Sequence, residues 1–485
     1  MKIYEFIKKA SLWVQQENQQ TEYTGKNYFV DLFTYIGVCK NNPCWIIDLF
    51  YKAYRADPKL ALKILMYSRD IKSGLGKRTS FRLIFNSLCK EKPDVVKQLI
   101  PYVPLIGRYD DLLVGLETES EEAIIEFISS TLKEDLRSLE MNENVSLLAK
   151  WMPSVNTSNK NVVAMAKYLA KKLGMNEPKY RKMLSSLRKG KIIENNLREK
   201  EYEFDYNSVP SLALYKYKDA FLKNDKERYM KYLAELERRK GALKEHEYLY
   251  NVIKDAYDLY QVKNLNEQEK QNLEMKWNEF VKQGNMCNTI VVRDGSYSMN
   301  CNNGLPMLIA NSMALYFSNV LKGKFANSFI TFSSDPQLVT LNGSNLYSKL
   351  VELENYNDHG SISITKLYEL LINKYYGDIK EDEMIRRIVI ISDMGVDVGV
   401  TELSRLNTFK NMFRKKKWIN PEIIYWHVDK GNLHYMIDSK YKNIKYLSGG
   451  SYKIIEALIE NRNLEDISFI EECVDKYDFV DNLTL

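Results

Sequence analysis

The chain has 485 residues, 45% of them hydrophobic and 28% charged, with a net charge of +6. That length suits two or three domains with ordinary cores, and so small a charge excess leaves any argument for nucleic acid to local clusters. Six scattered cysteines without a CxxC pair, and only four histidines, argue against a zinc site or a multi-histidine centre and fit reduced thiols in the cytoplasm. Met1 to Gln20 lacks the apolar stretch of a signal peptide, and no run reaches the roughly 18 apolar residues of a membrane span, so no membrane partner is expected.

Up to about residue 280 the pattern is helical. Trp45 to Tyr51 is a helix-like run, and Pro58 opens a second, Lys59 to Tyr67, with apolar residues at i, i+3 and i+4. Val162 to Leu173 is a third helix, stopped by Gly174. Further helices are expected at Ser211 to Phe221, Glu227 to Arg239, His246 to Tyr260 and Glu267 to Lys282. The expectation is a HEAT-like stack of antiparallel helices over residues 1–284.

From Asn288 the pattern changes. Apolar strand-like runs at Thr289–Arg293, Ser328–Phe332, Gln337–Leu341, Arg387–Ser392, Glu422–Val428 and Ile444–Leu447 alternate with helices at Pro306–Leu321, Lys366–Tyr375 and Glu402–Phe413. Short apolar strands alternating with helices predict a mostly parallel sheet covered on both faces, here an α/β domain over 285–485.

The strand C-termini of such a sheet share one edge, where ligands bind. Asp294-Gly295-Ser296-Tyr297-Ser298 follows the first strand and delivers one carboxylate and two hydroxyls there. Asp393 follows the strand Ile388 to Ser392, and the loop His359 to Thr365 adds a further hydroxyl. Oxygen donors of this kind suit Mg²⁺ or another divalent cation. With hydroxyls outnumbering carboxylates, the site would hold its metal weakly and keep a position open for an outside carboxylate or phosphate.

This set resembles the metal-ion-dependent adhesion site (MIDAS) of the von Willebrand factor A-type domain, a Rossmann-like fold. Asp294, Ser296 and Ser298 match its Asp-x-Ser-x-Ser element, and Asp393 matches its later Asp. Ile362 falls nearest the position of the third element, a Thr. Ser361, Ser363 or Thr365 can substitute, and Ser363 is the favoured ligand. A metal-free domain in which Asp294 caps the following helix is the alternative.

In the helical half, Arg69, Lys72, Lys77, Arg78 and Arg82 cluster around a glycine-containing turn. Glycines let backbone amides approach a phosphate that Lys and Arg neutralise. A second cationic run holds Lys179, Arg181, Lys182, Arg188, Lys189 and Lys191, and Tyr67 and Tyr180 are candidates for base stacking. Solvated basic faces, and an internal ion network of Arg108 with Asp110 and Asp111, are the alternative reading. Gly74 to Thr79 lacks the spacing of a Walker loop, and His359 beside Ser361 and Ser363 lacks an orienting partner for nucleophilic catalysis. Cys287 and Cys301, flanking the metal strand, read as small buried thiols.

Four segments, Ala56 to Pro58 through Ser68 to Arg78, Ile106 to Leu113, Ala149 to Pro153 and Val209 to Ala213, resemble the TROVE module of Ro ribonucleoprotein autoantigens and, more closely, a related uncharacterised family. The resemblance implies a non-enzymatic protein whose helices bind single-stranded or misfolded RNA, beside a metal-binding A-type domain. The rival expectation is a protein-interaction scaffold, or a virion component if virally encoded, that captures a partner's Asp or Glu at the metal.

Overall fold

The six expected strands form one sheet. They are β1 (Thr289–Arg293), β2 (Ser328–Thr331), β3 (Leu338–Thr340), β4 (Arg387–Ser392), β5 (Glu422–His427) and β6 (Ile444–Ser448), in the spatial order β3-β2-β1-β4-β5-β6. All neighbours pair in parallel except β2 and β3, which are antiparallel. The computed structural model describes residues 27–37, 43–71, 73–141, 143–188, 196–198, 200–206, 209, 217–242, 249–261, 267–281, 288–300, 304–357, 363–375, 379–393, 400–428 and 444–485.

Every residue of β1 and β4 is buried, as the continuous apolar runs require of strands covered on both faces. Alternate residues serve alternate faces. Ile290, Val292, Ile388, Ile390, Ile423 and Tyr425 join one cluster with Leu367, Tyr368 and Leu371 of the helix Ile364–Tyr375 and with Phe413 and Trp418. The helix Leu305–Val320 packs on β1 and β2. Each large aliphatic side chain so buried contributes about 1.5–3 kcal/mol.

By packing, the described residues form two compact units: 27–84 with 249–483, and 85–242 with Thr484 and Leu485. This division runs differently from the expected boundary at 284/285, because helices from both sides of that boundary cover the sheet. The helix Leu249–Gln261 lies on Leu305–Val320. In the next helix, Glu267–Val281, Trp277 is buried and Glu274 accepts the backbone N–H of Leu346 at 2.6 Å. At the other side of the sheet, Ser448 at the end of β6 donates to the carbonyl of Thr34 at 2.8 Å. Phe33 stacks on Tyr67 with centroids 5.3 Å apart and meets Phe469 edge-on at 6.1 Å.

In the other unit the segments Ile106 to Leu113 and Ala149 to Pro153 meet. The guanidinium of Arg108 lies 4.2 Å over the Trp151 ring, while Asp111 accepts the Arg108 backbone N–H at 2.9 Å. Arg188 closes the short helix Leu148–Trp151 by donating to the carbonyls of Ala149 (2.8 Å) and Met152 (2.7 Å) and to Ser154 Oγ (2.6 Å). Those carbonyls belong to a helix end and lack intrahelical partners. Among the described residues, no helix is long and apolar enough to cross a membrane.

Candidate metal centre

The strand order reverses between β1 and β4, so the crevice at their C-terminal ends is a topological switch point. Asp294 leaves β1 there, its N–H held by the carbonyl of Ile391 at 3.1 Å. Asp393 leaves β4 one residue after Ser392. Parallel pairing in register, Arg293 opposite Ile391, brings the two carboxylates to one edge.

A chain of hydrogen bonds links the donors. Asp294 is buried, and its Oδ1 accepts the N–H of Ser296 at 2.8 Å while its Oδ2 accepts from Ser392 Oγ. The hydroxyls of Ser296 and Ser298 lie 2.9 Å apart, and Ser298 donates to Asp393 Oδ1 at 3.0 Å. Ser296 is buried, Asp393 half-buried and Ser298 exposed, so the chain runs from the core to solvent. Ser363 stands just before the helix Ile364–Tyr375, its hydroxyl 2.7 Å from that of Thr365. His359, Gly360, Ser361 and Ile362 lie outside the described residues.

Two buried features fix the loop. Arg293 points beneath it and donates to Asn311 Oδ1 at 2.7 Å, to the carbonyl of Tyr356 and to Met307 Sδ at 3.3 Å, with Glu354 Oε1 at 3.5 Å. Gly295 crosses this guanidinium so closely that a Cβ would sit 2.5 Å from Arg293 Nη1 and 2.4 Å from the Tyr356 carbonyl.

The donor set fits a small hard cation. Octahedral Mg²⁺ with ligands at about 2.0–2.1 Å places neighbouring ligand oxygens roughly 2.9–3.0 Å apart. The Ser296–Ser298 and Ser298–Asp393 separations, 2.9 and 3.0 Å, are compatible with that edge and are also the length of ordinary hydroxyl hydrogen bonds. Two carboxylates balance a divalent charge, and each Asp294 oxygen keeps a lone pair beyond its present bond. Among the described residues, no three His, Cys, Asp or Glu side chains gather as a metal site.

Sequence reasoning passed over Ser392 and Tyr425. Ser392 ends a fully apolar strand, and its polarity at that place was the available signal. Tyr425 lies beside it on β5. Burial raises the Tyr425 pKa, and the Asp294 and Asp393 charges add to the rise, so it stays a neutral hydroxyl.

The cationic cluster at the glycine turn does not form a phosphate cradle. Arg69, Lys77 and Arg82 are buried, Arg78 is exposed, and Lys72 lies outside the described residues. The turn's amides are also committed. Leu75, Gly76 and Lys77 donate to the carbonyls of Tyr67, Asp70 and Ser68 at 3.0, 3.0 and 2.7 Å, closing the C-terminus of the helix Pro58–Arg69, with Gly76 at φ +62°. Tyr67 and Tyr180 are buried too, so neither stacks a base, and Tyr180 donates to the Pro153 carbonyl at 3.0 Å. Lys179, Arg181 and Lys182 are exposed on the helix Glu177–Arg188. Lys189 and Lys191 lie outside the described residues.

Residues 288–481 match a family model described as domain of unknown function DUF7788, and residues 122–287 one described as domain of unknown function DUF2828. Uncharacterized protein L728 of Acanthamoeba polyphaga mimivirus is 24% identical over 489 residues, spanning 89% of this chain and 82% of its own length. The two matched segments meet at 287/288, one residue before β1.

Proposed function

We propose that this chain is a divalent-cation-dependent binding protein without catalytic activity. Its sheet is read as a Rossmann-like von Willebrand factor A-type domain. Asp294, Ser296, Ser298 and Asp393, joined by Ser363 from a third loop, would hold Mg²⁺ and leave a coordination position for a partner's Asp or Glu. When bound, the cation supplies a positive anchor for that carboxylate. The observation that carries the reading is the convergence of Asp294, Ser296, Ser298 and Asp393, joined by hydrogen bonds, at the switch point of the sheet. The viral origin of the L728 relative suits a scaffold used in a virion as well as in a host cytoplasm.

The test is Mn²⁺ binding to the full chain, read by electron paramagnetic resonance. One ion per chain, displaced by Mg²⁺, is expected. Ser298→Ala removes one exposed hydroxyl with its hydrogen bonds to Ser296 and Asp393 and should weaken binding at least tenfold, as should Asp294→Ala. Absence of Mn²⁺ binding, or a Ser298→Ala protein that binds as the wild type does, sinks the reading.

A second reading, TROVE-like RNA binding by the helical unit, is favoured by one surface. Tyr180, Met183, Leu184 and Leu187 bury one side of the helix Glu177–Arg188 and leave Lys179, Arg181 and Lys182 in solvent. The helix Lys160–Lys172 packs against it and exposes Lys160 and Lys171. Such a face would bind single-stranded RNA through its phosphates, with affinity falling steeply as salt rises. Filter binding that ignores salt, or survives reversal of Lys179, Arg181 and Lys182 to Glu, counts against it.

A further inference from the structure

Tyr297 is 85% exposed, next to Ser298 at the solvent end of the hydrogen-bonded chain. It opens the 3-10 turn Tyr297–Asn300, whose Met299 is fully buried and whose Met299 N–H donates to the Ser296 carbonyl at 3.1 Å. The buried methionine below, the Asp294 carboxylate behind and the close crossing of Gly295 over Arg293 pin this backbone. Among the described residues Tyr297 makes no hydrogen bond, ring stack or ion pair, and its ring stands largely in solvent. A rigid backbone thus holds a large amphipathic ring in water beside the oxygen cluster. Aromatic side chains presented this way dominate binding energy, because they bury much area for few frozen torsions.

We propose that Tyr297 is the specificity anchor of the acidic-group site: it selects a protein partner whose Asp or Glu is flanked by an aromatic or large apolar side chain. The inference rests on the cation reading of that site. The carboxylate would meet the oxygen cluster while the flanking side chain lies on the Tyr297 ring. An aromatic pair of this kind is worth about three- to tenfold in affinity.

The experiment measures Kd values on the full chain in saturating Mg²⁺ for two peptides, Ac-Gly-Asp-Gly-NH2 and Ac-Phe-Asp-Gly-NH2, together with the reversed Ac-Gly-Asp-Phe-NH2. At least one phenylalanine peptide should bind wild type three- to tenfold more tightly than the glycine peptide. That ratio should fall to about one in Tyr297→Ala and persist in Tyr297→Phe. Equal affinities in the wild type, or a preference that survives in Tyr297→Ala, overturns the proposal. If the wild type binds none of the peptides in a Mg²⁺-dependent way, the site reading itself fails and takes this one with it.

Discussion

Gly295→Ala tests the link between the buried arginine and the oxygen cluster. The added methyl would meet a backbone carbonyl, that of Tyr356, at 2.4 Å and Arg293 Nη1 at 2.5 Å. The carbonyl belongs to the main chain, and the guanidinium is fixed by Asn311, Met307 and Glu354, so neither neighbour is a loose side-chain end. Overpacking of this kind destabilises by about 1–3 kcal/mol. Displacing the guanidinium breaks at least one hydrogen bond to a charged group, about 1.5–3 kcal/mol more. Together they predict a loss of roughly 2.5–6 kcal/mol. With a urea slope near 3 kcal/mol per M, the midpoint should fall by about 0.8–2 M. The assay is urea unfolding followed by the fluorescence of the buried Trp418 and Trp426. Mn²⁺ binding should be lost in the same variant under native conditions. A midpoint within about 0.2 M of wild type, with Mn²⁺ binding intact, would refute the reasoning, since the slope converts so small a shift to well under 1 kcal/mol.

Two further outcomes follow from specific contacts. Arg188→Ala leaves the carbonyls of Ala149 and Met152 and the Ser154 hydroxyl without their donor; a loss of about 2–4 kcal/mol is expected, seen as faster hydrogen exchange across residues 148–154, and unchanged exchange would contradict it. Glu422 bridges Arg387 at 2.7 Å and Lys445 at 2.8 Å across three strands. Burial alone would raise its carboxyl, but the two cations outweigh burial and hold the pKa below its ordinary value. The stabilisation is therefore present above the unfolded-state pKa and disappears as pH falls through the lowered folded value. Glu422→Gln should thus be less stable than wild type near neutral pH and equal to it in strong acid; a difference that does not change with pH would count against the ion pairs.

The sheet was legible because its strands are short apolar runs whose ends coincide with polar or glycine-rich punctuation. Thr289–Arg293 and Arg387–Ser392 appear as read from the sequence, and the helix expected at Val162 to Leu173 appears as Lys160–Lys172, ended by Gly174 at φ +67°. The oxygen donors were legible for the same reason, since a residue just past a parallel strand must reach the shared edge. The antiparallel pairing of β3 was not, because three residues carry no directional signal. Charge clusters misled most. Arg69, Lys77 and Arg82 look like a surface patch as letters, yet Arg69 and Arg82 sit on buried helix faces and Lys77 is buried in the turn between them. Composition reports how many cations a segment has and leaves their direction to the packing. The same holds for the glycine turn, whose amides close a helix instead of waiting for a phosphate.

The seam joining Thr34 to Ser448 has a consequence for synthesis. These residues are 414 positions apart, and Tyr477 donates to Asp70 across 407. A ribosome adding about 5–20 residues per second leaves the first helices waiting roughly 20–80 s for the segments that cover them. During that interval Phe33, Tyr35 and Tyr67 have no sheet to pack on, while residues 85–242 lack only Thr484 and Leu485 of their unit. The seam between the first helices and the sheet therefore closes last, after β6 and the C-terminal turn have been made.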